Sequence, residues 1–133
     1  MPDLLSIKAA DNYRLARSGS IIEPEDGTYN LIRLPQYAFV KDVWLLCTEA
    51  GSSDTIDVGF VGNGEGADPD AFLDANYALV NSTGIGMYRA TQDTTSGFAG
   101  KWFSDASGLV TMTVGTTQTS GIFTVFVEYT VIH

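Results

Sequence analysis

Residues 34–59 read LPQYAFVKDVWLLCTEAGSSDTIDVG, and their punctuation decides the fold class. Pro35 has no amide proton to give a ladder, so it ends a strand over residues 29–34. Over residues 42–48 the side chains alternate, with Val43, Leu45 and Cys47 on one side and Trp44 and Leu46 on the other. Apolar residues on both sides predict a central or doubly covered strand. A Gly/Ser loop follows. Residues 55–61 then predict a strand with Ile56, Val58 and Phe60 inward and Thr55 and Asp57 outward.

The same period of two recurs toward the C-terminus. Phe123, Val125, Val127, Tyr129 and Val131 share one face, and Ile122, Thr124, Phe126, Glu128, Thr130 and Ile132 share the other. Phe126 and Ile132 are too apolar for a face left to water, so this mixed face is expected to be partly covered or to meet another subunit. Residues 109–114 form a further strand, and the linker 115–121, with glycines at both ends, is expected to close a long hairpin. Residues 85–90 add another strand. Residues 62–70 read as a loop leading to a short helical turn, with Asp68 as N-cap, Pro69 in the first helical position and Asp70 in the first turn. Phe72 and Leu73 would anchor that turn. Residues 91–108 are polar, but Phe98, Trp102 and Phe103 argue for order. The expected architecture is all-β: residues 1–22 as an extended N-terminal arm or edge element, and residues 23–133 as a jelly-roll-like β-sandwich with long loops.

Composition agrees. The chain has 133 residues, 44% of them hydrophobic, 17% charged, and 14 are glycine, which suits one turn-rich domain with a real core. The net charge of −9 is uneven. Residues 1–22 carry Lys8, Arg14 and Arg17 against two acids, whereas residues 23–75 carry eleven acids against Arg33 and Lys41. An acidic body excludes nucleic acid as the expected partner, since phosphate contacts need clustered Lys and Arg. No apolar run approaches the roughly 18 residues that span a bilayer, so no membrane partner is expected. The N-terminal residues lack the basic-then-apolar layout of a signal peptide.

Catalytic groupings are missing from the sequence. The single histidine, His133, is terminal, and Cys47 sits inside a strand pattern, where a cysteine is usually a small buried apolar residue. One of each does not build a zinc site. The acidic run around Glu65, Asp68 and Asp70 is the one candidate for calcium, with Asp54 and Asp57 as further oxygen donors; a solvated turn with an Asp cap is the preferred reading, since capping alone explains Asp68. The spacing of Asp54 and Asp57 points them to opposite faces, against paired-carboxylate chemistry. Tyr13, Tyr29, Tyr37, Trp44, Tyr77, Tyr88 and Trp102 leave open a ring-lined carbohydrate platform. The reading is of a non-enzyme with no cofactor and no required metal.

The elements Leu34-Pro35, Val40, Asp42-Val43 and Asp54-Thr55-Ile56-Asp57-Val58-Gly59 resemble a pattern in small virion proteins of tailed bacteriophages, those that decorate or cement the capsid shell. The resemblance continues through residues 68–73 into the C-terminal strands, and its motifs are structural. It implies a capsid decoration or cement protein, made in the host cytoplasm and carried on the virion surface. It also implies the major capsid protein as partner and a homotrimeric state. On that reading Phe126 and Ile132 would bury between subunits, and Lys8, Arg14 and Arg17 of the arm would touch the shell. The alternative is a receptor- or carbohydrate-binding module of a phage fibre or tail.

Overall fold

The computed structural model describes residues 13–53, 55–74, 84–92 and 98–132. Among them are ten strands: β1 (Arg14–Arg17), β2 (Ile21–Ile22), β3 (Gly27–Arg33), β4 (Ala38–Glu49), β5 (Ile56–Gly62), β6 (Glu65–Leu73), β7 (Gly86–Arg89), β8 (Lys101–Phe103), β9 (Leu109–Val114) and β10 (Ile122–Val131). Helical structure among the described residues is one 3₁₀ turn, Ala90–Gln92.

The strands form two antiparallel sheets. The larger runs β1-β10-β4-β7, with β2 also on β10 and β8 also on β4; the smaller runs β3-β9-β5-β6. The pairings nest. β5 pairs β6, β4 pairs β7 and β8, β3 pairs β9, and β1 pairs β10, so the chain is one long antiparallel ribbon rolled into two layers.

The core lies between the layers. From the larger sheet come Ala38, Val40, Val43, Leu45, Cys47, Phe123, Val125 and Val127; from the smaller come Ile56, Val58, Phe60, Val110, Met112 and Val114. Each set follows the period-two pattern of its strand. Phe60, Phe72, Phe98 and Phe103 continue the core as a chain of tilted and edge-on rings with centroids 5.3–6.0 Å apart, the offset geometry that aromatic quadrupoles favour. Two bulges bend β4 along its partner β10. The register steps from Asp42↔Glu128 to Val40↔Tyr129 and from Cys47↔Phe123 to Glu49↔Ile122, leaving Lys41 and Thr48 as the extra residues.

Three local expectations need correction. Residues 68–70 do not start a helix; they lie within strand β6. β6 is the edge of the smaller sheet, where Pro69 forfeits no ladder hydrogen bond. Residues 62–65 are a tight turn, with Asn63 at φ 62° and Gly64 at φ 66°, both left-handed as a type I′ hairpin demands. Linker 115–121 does not close a hairpin either. β9 belongs to the smaller sheet and β10 to the larger, so the linker crosses between the layers.

The described part of residues 1–22 is paired. Arg14–Arg17 runs along β10 from Tyr129 to Phe126, and Ile21–Ile22 pairs with Phe123 and Ile122. Between them Ser18 donates its amide to the Val125 carbonyl and accepts the Val125 amide on its hydroxyl, each at 2.9 Å. The side chain thus stands in for a backbone carbonyl where the strand breaks. Residues 1–12, Lys8 included, lie outside the described residues.

Candidate functional site

The larger sheet presents an outer face that does not match a solvated one. Strand register sets Arg17, Phe126, Trp44 and Arg89 in one row across β1, β10, β4 and β7. The rings of Trp44 and Phe126 stack 5.5 Å apart at 12°, and the Arg89 guanidinium lies 5.0 Å above the Trp44 ring. A tryptophan so covered is only 7% exposed although it points away from the core. Its indole N–H has no hydrogen-bond partner among the described residues. Arg89 also reaches Asp42 at 3.9 Å. Asp42 accepts the Val43 amide and the Thr91 hydroxyl, which holds that carboxylate at the sheet surface.

One row away, Leu15 faces Glu128, and Glu128 pairs with Lys41 at 3.5 Å. Lys41 lies 4.3 Å over the Tyr13 ring. On the other side of the aromatic pair, Leu46 faces Met87. Leu15, Ile22 and Met87 are all exposed. At the end of the sheet the Ile132 amide donates to the Tyr37 carbonyl, and the Tyr37 ring stacks on Trp102 at 6.0 Å. Ile132 is 51% exposed. Of the residues expected at an interface, Phe126 therefore sits half-buried in the central row, and Ile132 at a separate rim. Arg14 and Arg17 are both exposed on β1 but alternate, with only Arg17 on the outer face beside Phe126.

The opposite, outer face of the smaller sheet is acidic. Asp57 points outward beside the inward Ile56 and Val58. The Asp68–Pro69 backbone folds over Gly59, whose missing side chain leaves room for it. The Asp70 carboxyl is held above its ordinary range. Its hydrogen bond to Asp68 is the main cause, followed by partial burial and by the charges of Asp68, Asp74 and Asp57. No described Lys or Arg forms an ion pair with Asp68 or Asp70.

This cluster sets a pH dependence. A carboxyl whose folded value is raised binds its proton more tightly folded than unfolded, so acidification favours the fold. The gain begins as pH falls through the raised folded value and is complete below the unfolded carboxylate value, near about 4. Asp70→Asn is expected to be more stable than wild type at neutral pH and to lose part of the rise in melting temperature on going to about pH 5. Melting curves that run parallel for the two proteins across that range would contradict the assignment.

Glu65 stands apart from the other two metal candidates. It pairs with Lys101 at 2.7 Å and accepts from Asn63 at 2.7 Å. Lys101 first, then Asn63, hold its carboxyl below the usual range. Asn63 in turn donates to the Trp102 carbonyl and accepts from the Ser104 amide, tying the β5–β6 turn to β8. Among the described residues no three His, Cys, Asp or Glu side chains gather to hold a metal ion. The aromatic set is likewise dispersed. Tyr29 and Tyr88 pack against the core with their hydroxyls on the Glu25 and Gly84 carbonyls. Trp44 is covered, and Tyr77 lies outside the described residues. Cys47 is buried, and burial pushes its thiol up, away from the nucleophilic thiolate. Asp54 and His133 lie outside the described residues.

The fold and its faces define a two-layer antiparallel β-sandwich with one aromatic and one acidic outer surface. Its fold is similar to chains in three solved phage structures. Against a chain of the cyanophage Pam1 capsid asymmetric unit the TM-score is 0.68 at 15% identity, over 99% of this chain and 94% of that one. Against the acid-stable capsid of Helicobacter pylori bacteriophage KHP30 it is 0.65 at 19% identity, over 92% and 90%. Against the capsid of Ralstonia phage GP4 it is 0.64 at 18% identity, over 96% and 90%. No protein-family model and no curated protein matches the chain.

Proposed function

We propose that this chain is a structural, non-catalytic virion component that decorates and stabilises a bacteriophage capsid shell. The observation that carries the reading is end-to-end likeness to chains in three phage capsid structures, 90–94% of each neighbour being covered. Chains so matched are of nearly equal length, which favours a small accessory subunit of the same build. The decoration motifs at residues 34–59 lie in β4, β5 and the turns around them, so they describe this sandwich directly. On this reading the major capsid protein is the partner, the protein works as a homotrimer on the virion surface, and residues 1–22 contribute Lys8, Arg14 and Arg17 to the shell contact.

The test uses heads of a phage that encodes the chain. Mass spectrometry is expected to find it in purified heads, and heads lacking it are expected to disrupt at lower temperature until purified protein is added back. Because Arg14–Arg17 and Ile21–Ile22 pair with β10, the arm is tested by Lys8→Glu with Arg14→Glu rather than by deletion. Absence from virions overturns the reading. Recovery only with tails or fibres favours the exposed Tyr37–Trp102 stack as part of a receptor- or sugar-binding module.

A further inference from the structure

A sandwich that works alone tends to carry polar side chains on both outer sheet faces. Here the larger sheet offers an apolar, aromatic strip with guanidinium groups at both ends, Arg17 and Arg89. The smaller sheet offers Asp57, Asp68, Asp70 and Asp74 on the far side of the core. Arg17 has no ion-pair partner among the described residues, and neither do Asp68 and Asp70.

We infer that the Arg17–Phe126–Trp44–Arg89 face of one copy docks head to tail on the Asp57–Asp68–Asp70–Asp74 face of a second copy of this chain. Charge complementarity selects that occupant. On the larger-sheet face Arg89 pairs with Asp42 and Lys41 with Glu128, which leaves Arg17 as the charge in excess; two such faces offer it no surplus carboxylate, and two smaller-sheet faces would bring acids against acids, so like-face contacts are disfavoured. The aromatic pair with Leu15, Leu46 and Met87 supplies an apolar centre, and the guanidinium and carboxylate groups supply a polar rim, as specific interfaces do. An arriving guanidinium also offsets the charges of Asp68, Asp74 and Asp57, which add to the Asp68 hydrogen bond and to partial burial in holding the Asp70 carboxyl up. A contact between unlike faces is heterologous, so it closes into a ring or runs on as a filament. The inference rests on charge and exposed apolar surface; it assigns Arg17 to the second copy and leaves Lys8 and Arg14 as the arm's basic groups for a shell.

The test is a charge swap on the full chain, read by sedimentation velocity in low salt. The wild type is expected to self-associate at micromolar concentration and to dissociate as salt screens the rim. Arg17→Glu and Asp70→Lys, both at exposed positions, are each expected to weaken self-association roughly tenfold. Combined in one chain they are expected to recover wild-type association, because every contact of a ring or filament then sets the introduced carboxylate against the introduced ammonium. Arg14→Glu, on the alternate side of β1, is the control and is expected to change nothing. A wild type that stays monomeric overturns the inference. So does an effect of Arg17→Glu without one of Asp70→Lys, which would mark a like-face contact, and so does a double variant that fails to recover.

Discussion

Gly59→Ala is expected to destabilise the protein by about 3 kcal/mol or more and to lower its melting temperature by roughly 10 °C or more. Gly59 sits in the middle of β5, with Val58 and Phe60 inward, so an added methyl would point to the outer face of the smaller sheet. There the β6 backbone is already in place. A Cβ would collide with the Asp68 carbonyl and come within 2.6 Å of the Pro69 carbonyl oxygen. These are backbone atoms and do not swing aside as a side-chain tip does. The crossing exists because the register jumps from Phe60↔Asp68 to Val58↔Leu73, so residues 69–72 bulge against Gly59 alone. Relief requires β6 to lift, which moves Asp68 and Asp70. Gly66→Ala in the same β6 strand meets nothing within 4 Å and is expected to change stability by less than about 0.5 kcal/mol. Thermal unfolding of the pair checks the claim, and two equal melting temperatures would refute it.

The strands were legible because alternation reports faces directly. Ile56, Val58 and Phe60, and Phe123, Val125 and Val127, all point into the core as their spacing predicts. Alternation does not report partners. A linker such as 115–121 has the same composition whether it turns back into one sheet or crosses to the other, so β9 and β10 read as a hairpin although they lie in different layers. At residues 62–70 the wrong local signal prevailed. Asp68-Pro69 is good helix-start chemistry, but Asn63-Gly64 just before it is a stronger hairpin signal, and a hairpin there makes the following residues an edge strand that tolerates proline. The candidate site was half visible. Phe126 stood out as an apolar residue on a mixed face. Its neighbours Trp44 and Arg89 come from β4 and β7, and only the register of the folded sheet puts them in its row.

Gln118→Leu is expected to lower stability by about 4 kcal/mol despite its conserved volume, because each buried group left unpaired costs about 1–3 kcal/mol. Gln118 is 2% exposed in the linker that crosses between the sheets. Its side-chain oxygen accepts the Ser52 and Ser53 amides at 2.8 and 3.1 Å. Its side-chain nitrogen donates to the Ser53 and Thr116 carbonyls at 2.9 and 3.2 Å. Its backbone amide donates to the Pro24 carbonyl at 2.9 Å. One side chain thus binds the β4–β5 loop to the β9–β10 linker, and its backbone binds the turn before β3. Leucine fills the same space and satisfies none of the side-chain bonds. The amides of Ser52 and Ser53 would lose their acceptor and would have to find water by opening the part-buried loop. Because β4 and β10 belong to the sheet with the aromatic face while β5 and β9 belong to the sheet with the acidic one, the same opening would loosen the two faces against each other. Two measurements separate this from ordinary loss of packing. Urea unfolding is expected to show the drop in stability, and hydrogen exchange at Ser52 and Ser53 is expected to accelerate well before exchange in the β4–β10 ladder. A variant that unfolds like wild type, with those two amides still protected, would mean that the crossing is held by the sheets alone.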